Sequence, residues 1–202
     1  MTEIKSEQVR PRLDGDSAHH SDVALLIIDV INDLEFEDGE KLFKFALPMA
    51  ERLALLKCRF RQAGLPVIYA NDNFGKWKSD FRFQVERCLA GNVRGKPVVE
   101  LLKPVDEDYF VLKPMHSAFY ATTLDVLLEH LQVERLVITG MATDICVLFT
   151  SNDAYMRDYR VAIPSDCVAA NSQEQSDAAL HLMERVLKAD IRISTELLKE
   201  IR

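Results

Sequence analysis

The stretch DYFVLKPMHSAFYATTLDVLLEHLQVERLVITGMATDICV, residues 108–147, decides how the chain folds. DYFVLKP (108–114) is a β-rich run closed by a proline, TTLDVLLEHLQ (122–132) has the apolar spacing of an amphipathic helix, and RLVITG (135–140) is a near-continuous apolar run. Strand, helix, strand in that order describes two parallel strands joined by a helical crossover. A run apolar on both of its faces is one that helices cover on both sides. The turn GMATDIC then carries Cys146 toward the start of the next helix.

The same alternation extends outward in both directions. Upstream lie VALLIID (23–29), a helical pattern from about Phe45 to Gln62 with Gly64 as its stop, PVIYAN (66–71), the polar, aromatic loop NDNFGKWKSD (71–80) and a helical pattern through Phe83 to Ala90, broken by GNVRGKP. Downstream lie the helical DICVLFTSNDAYMRD, the strand YRVAIPSD (159–166), the helical QSDAALHLMERVLK (175–188) and a last strand, DIRIS (190–194). The expected fold class is therefore α/β: a doubly wound, Rossmann-like three-layer sandwich with a six-stranded, mostly parallel sheet in the order 3-2-1-4-5-6. Residues 1–21 read as an N-terminal arm, flexible or docked on a partner, and residues 22–202 as one domain. No internal repeat at a solenoid period is present.

Composition narrows the function. The chain has 202 residues, with 32 Asp and Glu against 25 Lys and Arg for a net charge of −7, which argues against a nucleic-acid surface built on phosphate neutralisation. Hydrophobic residues at 48% and charged residues at 28% are ordinary globular usage. No stretch approaches the ~18 apolar residues of a membrane span, the first residues lack the apolar core of a secretory signal, and Cys58, Cys88, Cys146 and Cys167 are spread singly. The expectation is a reduced, cytoplasmic enzyme with a small-molecule substrate, and no nucleic-acid or membrane partner.

In a doubly wound sheet the ligand binds beyond the C-terminal ends of the strands, here after Ile28, Ala70, Leu112 and Thr139. Asp29, Lys113 and Cys146 fall there. Each alone has a plainer reading: a strand-closing aspartate, a solvent-facing lysine, a packed thiol. Together they supply a base, a cation and a nucleophile. A helix start and a nearby cation would both lower the thiol's pKa from about 8.5. Backbone N–H groups of the turn would face a forming oxyanion. Cys58 and Cys88 lie within helical patterns without such neighbours, and Cys167, after the fifth strand, is the strongest rival.

These residues resemble the isochorismatase-like cysteine hydrolase superfamily, over roughly residues 22–193. LLIIDVINDL, Lys113 with Ser117-Ala118-Phe119, Thr123-Leu124, the block Gly140-x-x-Thr143-Asp144-x-Cys146-Val147, and TSNDAYMRDYRVAIPSDCVAA carry the likeness. The resemblance implies a catalytic triad of Asp29, Lys113 and Cys146, a cis peptide between Met141 and Ala142, an oxyanion hole from the N–H groups of Ala142 and Cys146, and Asp144 as a helix cap. Cys146 points to the amidase branch rather than to isochorismatases, which typically lack the nucleophilic cysteine. Nicotinamidases of the superfamily carry an Asp-x-His metal pair after strand two. Here Asp72 is followed by Asn73 and Phe74, so no metal and no cofactor is expected. Members are commonly dimers or tetramers, which implies a homo-oligomer.

The expected activity is thus hydrolysis of a small amide, carbamoyl or ureido compound through a thioester. Phe74, Trp77, His116 and Phe119 are candidates to wall the pocket, with solvent exposure the equal alternative for His116 and core packing that for Phe119. Isochorismatase or nicotinamidase activity is the alternative within the superfamily. LLIIDV also resembles the first motif of haloacid-dehalogenase-like phosphatases, but Ile31 stands where that chemistry needs a second Asp. A non-catalytic scaffold is the remaining alternative.

Overall fold

The computed structural model describes residues 21–73 and 80–201. In chain order the elements are β1 (Val23–Ile28), α1 (Gly39–Gln62), β2 (Val67–Asp72), α2 (Phe81–Ala90), α3 (Lys96–Leu102), β3 (Tyr109–Lys113), α4 (Leu124–Leu131), β4 (Arg135–Met141), α5 (Leu148–Tyr155), β5 (Arg160–Ala162), β6 (Val168–Ala169), α6 (Gln173–Leu187) and α7 (Ser194–Leu197). A π-helical turn, Thr143–Val147, leads from β4 into α5, and a 3-10 turn, Ser165–Cys167, precedes β6.

The strands run in the order β3-β2-β1-β4-β5, and every pairing is parallel. Alternation along β1 shows why both faces are covered. Leu25 and Ile27 join Met49, Leu53, Leu56 and Phe60 of α1 and Val98, Val99 and Leu102 of α3 in one apolar layer. Ala24, Leu26 and Ile28 point the other way, into Leu124, Leu128 and Leu131 of α4, Ala154 of α5 and Leu180, Met183 and Leu187 of α6. Burying each such Leu or Ile side chain is worth about 1.5–3 kcal/mol, so the two layers hold the sheet in its register.

Local chemistry sets the element ends. Gly64 at φ 68° follows α1, and the Leu65 N–H returns to the Phe60 carbonyl at 2.9 Å. The Asp80 carboxylate accepts from the Phe83 N–H at 2.8 Å and opens α2. The break expected at GNVRGKP ends α2, but its proline then starts α3 in the first turn, where a missing N–H costs nothing. Gly140 has φ 106°, and a Cβ there would lie 2.1 Å from the Ile28 carbonyl oxygen. Only glycine lets β4 pass this close to the end of β1.

The expected order holds except at its sixth place. DIRIS does not form a strand: it contributes a single parallel bridge, Asp190 to Ala162. The sixth strand is Val168–Ala169, and it pairs with Gly140 and Met141 of β4. β5 is only three residues long and stops opposite Val137, so the upper half of β4 is left open, and the chain after Pro164 steps back to fill it. No helix among the described residues is long and apolar enough to cross a membrane.

Candidate active site

Three strand ends bring Asp29, Lys113 and Cys146 together. Asp29 follows β1 at φ 55°, a left-handed conformation that aspartate tolerates better than most residues, and its N–H is held by the Ala70 carbonyl at 3.0 Å. Lys113 closes β3, two strands away, in register with Asp72 of β2. Its side chain is fully buried and reaches back across β2, so that Nζ lies 2.8 Å from Asp29 Oδ2 and 3.4 Å from Cys146 Sγ. The remaining capacity of the ammonium is met by the Met115 carbonyl at 3.2 Å and by Asp72 Oδ2 at 3.9 Å. Asp29 Oδ1 accepts the Asp72 N–H at 2.7 Å. Asp29 and the Cys146 thiol lie close enough to shift each other's ionisation.

Burial dominates the electrostatics. It pushes the Asp29 carboxyl above its ordinary value, against the opposing pull of Lys113. Burial alone would lower Lys113, but Asp29, Cys146 and Asp72 outweigh it and the net direction is upward. The Cys146 thiol is pushed up to about 12, first by burial and then by Asp29, with Lys113 pulling the other way. This reverses the lowered thiol expected from a helix start and a cation: the cation is already paired with a carboxylate, and desolvation exceeds what remains. The resting arrangement is a charged lysine beside a neutral thiol and an aspartate more basic than an exposed one.

The turn that carries the thiol is cis between Met141 and Ala142. The Ala142 carbonyl accepts from the N–H groups of Ile145 and Val147, each at 3.1 Å, skipping the Cys146 N–H between them. Residue 142 is the cap of the π-helical turn and no side chain caps it, so Asp144 does not perform the capping role expected of it.

Of the four pocket candidates, Phe74 and Trp77 lie outside the described residues. His116 is exposed, with Nδ1 3.8 Å from Cys146 Sγ and its ring 5.5 Å from that of Phe149. Phe119 is buried in the layer beneath α4, stacked with Tyr159 at 6.1 Å and under the Arg157 guanidinium at 4.8 Å, so core packing accounts for it. Cys167 is buried, its thiol pushed upward by burial and by Asp166. Cys88 is pushed up to about 11 by burial and Asp33, and Cys58 is exposed on α1. Neither the Met115 carbonyl nor the Asp72 N–H was legible as part of the cluster, because backbone groups leave no mark on a sequence. Phe149 sits at a helical position that reads equally well as core.

A doubly wound α/β protein with a buried Asp-Lys pair against a half-buried cysteine beyond its strand ends is thus the class that fold and geometry define. The family profile of the isochorismatase domain matches residues 23–192, and the chain belongs to the isochorismatase family of hydrolases. It is 46% identical over 180 residues to the isochorismatase family protein YaaI of Bacillus subtilis (strain 168), a match that covers 89% of this chain and 98% of that protein. Among solved structures it is similar to N-carbamoylsarcosine amidase from Thermoplasma acidophilum, with a TM-score of 0.65 and 28% identity over 86% of this chain and 97% of that one. The pyrazinamidase/nicotinamidase of Streptococcus mutans UA159 has a TM-score of 0.64 and 27% identity, over 84% of this chain and 99% of that one.

Proposed function

We propose that the protein is a cysteine-dependent hydrolase of a small carboxamide, carbamoyl or ureido compound, with Cys146 as nucleophile, Asp29 as proton carrier and Lys113 as the fixed cation between them. The observation that carries this reading is the placement of Lys113 Nζ, 2.8 Å from Asp29 and 3.4 Å from Cys146. The amidase activities named for the two solved relatives support the C–N bond as the target.

The sulfur attacks the substrate carbonyl carbon as its proton passes to Asp29, whose raised pKa suits it to receive one. The N–H groups of Ala142 and Cys146 donate to the carbonyl oxygen as negative charge forms on it. Collapse breaks the C–N bond, and the proton on Asp29 goes to the departing nitrogen, which leaves as ammonia or an amine. Water then adds to the thioester while Asp29 takes one of its protons. The second collapse releases the acid and returns that proton to the sulfur. Lys113 keeps its charge throughout and compensates whichever of Asp29 and Cys146 is anionic.

The metal site of nicotinamidases does not fit this donor set. Asp72 Oδ2 faces the Lys113 ammonium at 3.9 Å, and no histidine occurs between Asp72 and Asp80. Among the described residues a cation beside Asp72 would meet the Lys113 charge, so no step is routed through a metal.

The test is ammonia release from a panel of carboxamides, carbamoyl acids and ureas, with Cys146→Ser as control and intact-mass labelling by iodoacetamide. Turnover that disappears in Cys146→Ser supports the reading. Labelling confined to Cys58, Cys88 or Cys167, or full turnover by Cys146→Ser, sinks it.

A further inference from the structure

Two buried amides stand behind the cluster, and neither belongs to the triad. Asn71, next to last in β2, accepts the Ile31 N–H on Oδ1 at 3.1 Å and donates from Nδ2 to the Ile31 carbonyl at 3.0 Å and to Gln84 Oε1 at 3.1 Å. Gln84, on the first turns of α2, donates from Nε2 to the Asp72 carbonyl at 3.2 Å. On the other side of that peptide the Asn73 N–H donates to the Lys113 carbonyl at 3.2 Å. The backbone of residue 72 is therefore held at both ends: its carbonyl by the Gln84 amide, which Asn71 steadies through Gln84 Oε1, and its N–H by Asp29 Oδ1 at 2.7 Å.

α2 is anchored well enough to act as the fixed point. Phe81 packs between Tyr69 and Phe110, at ring distances of 5.7 and 5.1 Å, and Arg87 pairs with Asp33 at 2.8 Å, tying the helix to the segment just beyond Asp29. Asn71 ties the same segment to β2 by its two bonds to Ile31. Burying an amide without partners costs about 1–3 kcal/mol, so both side chains are committed to these bonds.

We propose that Gln84, acting with Asn71, is a positioning residue of the site: Gln84 fixes the Asp72 carbonyl, Asn71 fixes Gln84, and residue 72 is thereby held in the backbone conformation that keeps its N–H aimed at Asp29 Oδ1 and leaves Oδ2 to Lys113. The proposal rests on the reading of Asp29 as the proton carrier. A carboxylate gripped on one oxygen by a fixed N–H and on the other by a buried ammonium has a single orientation. Without the N–H it is free to turn, and it loses a hydrogen bond that favours its charged form. Among the described residues the charged and titratable groups around it are Lys113 from β3, Asp72 from β2 and Cys146 from the turn after β4, with His116 on the far side of the sulfur. Gln84 touches none of the reacting atoms.

The experiment compares wild type with Gln84→Met, which keeps the bulk and removes both amide bonds, and with Gln84→Leu should the first variant not fold. The first readout is the amide proton shift of Asp72 by NMR, with Asp29→Asn as the reference for a lost carboxylate acceptor. The second is the pH profile of acylation by p-nitrophenyl acetate. Its acid limb reports the protonation of Asp29. The expected result is an upfield move of the Asp72 amide toward its Asp29→Asn position, an acid limb about 1 pH unit higher and acylation about tenfold slower below that limb. A purely structural role would lower the melting temperature and leave both readouts alone. An Asp72 amide and an acid limb that match wild type in a folded Gln84 variant overturn the proposal. Unchanged acylation in Cys146→Ser refutes the nucleophile instead, while the NMR shift still decides the role of Gln84.

Discussion

Replacing Asp29 by Asn should separate two properties of Cys146 that a pre-ionised thiol would lose together: amide hydrolysis should collapse while alkylation speeds up. In the folded protein the thiol is pushed up to about 12 by burial and by Asp29, and Lys113 is the opposing charge, 3.4 Å from the sulfur. Asparagine keeps the shape of the side chain and removes its charge, so Lys113 turns to the sulfur as its nearest partner. Two unit charges at that separation attract by about 5 kcal/mol at an effective dielectric near 20. Releasing half of this is enough to raise the thiolate fraction at pH 8 about a hundredfold. The more stable thiolate is a weaker nucleophile, with a Brønsted slope of about 0.45, which takes back nearly tenfold. The net expectation is iodoacetamide alkylation of Cys146 about tenfold faster than in wild type. In the proposed reaction hydrolysis needs the proton that Asp29 hands to the leaving nitrogen, and its loss should cost about 10²–10⁴ in rate. The assay is the second-order alkylation rate at Cys146 by intact mass at pH 8, beside ammonia release from the same samples. Alkylation slower than wild type in a folded Asp29→Asn variant would refute the reasoning, because Asp29 would then be ionising the thiol at rest rather than holding it neutral.

Two further outcomes follow from single positions. Gly140→Ala puts a Cβ 2.1 Å from the Ile28 carbonyl at φ 106°; the β1–β4 register cannot absorb it, and stability should fall by more than about 3 kcal/mol, read as a urea midpoint shift. An unchanged midpoint would mean that the strand ends are not packed as described. Lys57 is buried in α1, donates to the carbonyls of Leu101 at 3.3 Å and Lys103 at 3.2 Å, and has its pKa lowered from 10.5 to about 8 by burial and then by Arg61. The folded state therefore binds fewer protons than the unfolded chain between pH 8 and 10.5, so this residue's contribution to stability rises with pH across that window, by at most about 3 kcal/mol, and is lost as pH falls through 8. Urea titrations of wild type and Lys57→Met should diverge over that range; parallel curves would show that Lys57 ionises as it does in water.

What could be read from the sequence, and what could not, divides along a physical line. The apolar runs at 23–29, 66–71 and 135–140 announced buried parallel strands because both faces of each are covered, and strand ends inherit their place from strand order. That was enough to bring Asp29, Lys113 and Cys146 to one edge. DIRIS failed as a strand because its β-rich pattern carries no information on whether a free edge awaits it: β5 ends opposite Val137, and the open part of β4 went to Val168–Ala169 instead. Spacing leaves Phe119 open between pocket wall and core, because it cannot tell an aromatic under a helix from one beside a thiol. The larger miss was the direction of the Cys146 pKa. A helix start and a nearby lysine are visible as residue types, whereas desolvation is a property of the assembled site, and so is the fact that the lysine is already spoken for by Asp29 at 2.8 Å. Once those are known, the chemistry changes order. A thiolate stored at rest would need Asp29 only for the leaving group. In the proposed reaction a neutral thiol needs it twice, as base before attack and as acid after, and the carboxylate must keep its geometry through both transfers. On that reading the backbone of Asp72, and the buried amides behind it, bear on the proposed chemistry more directly than any further cation would.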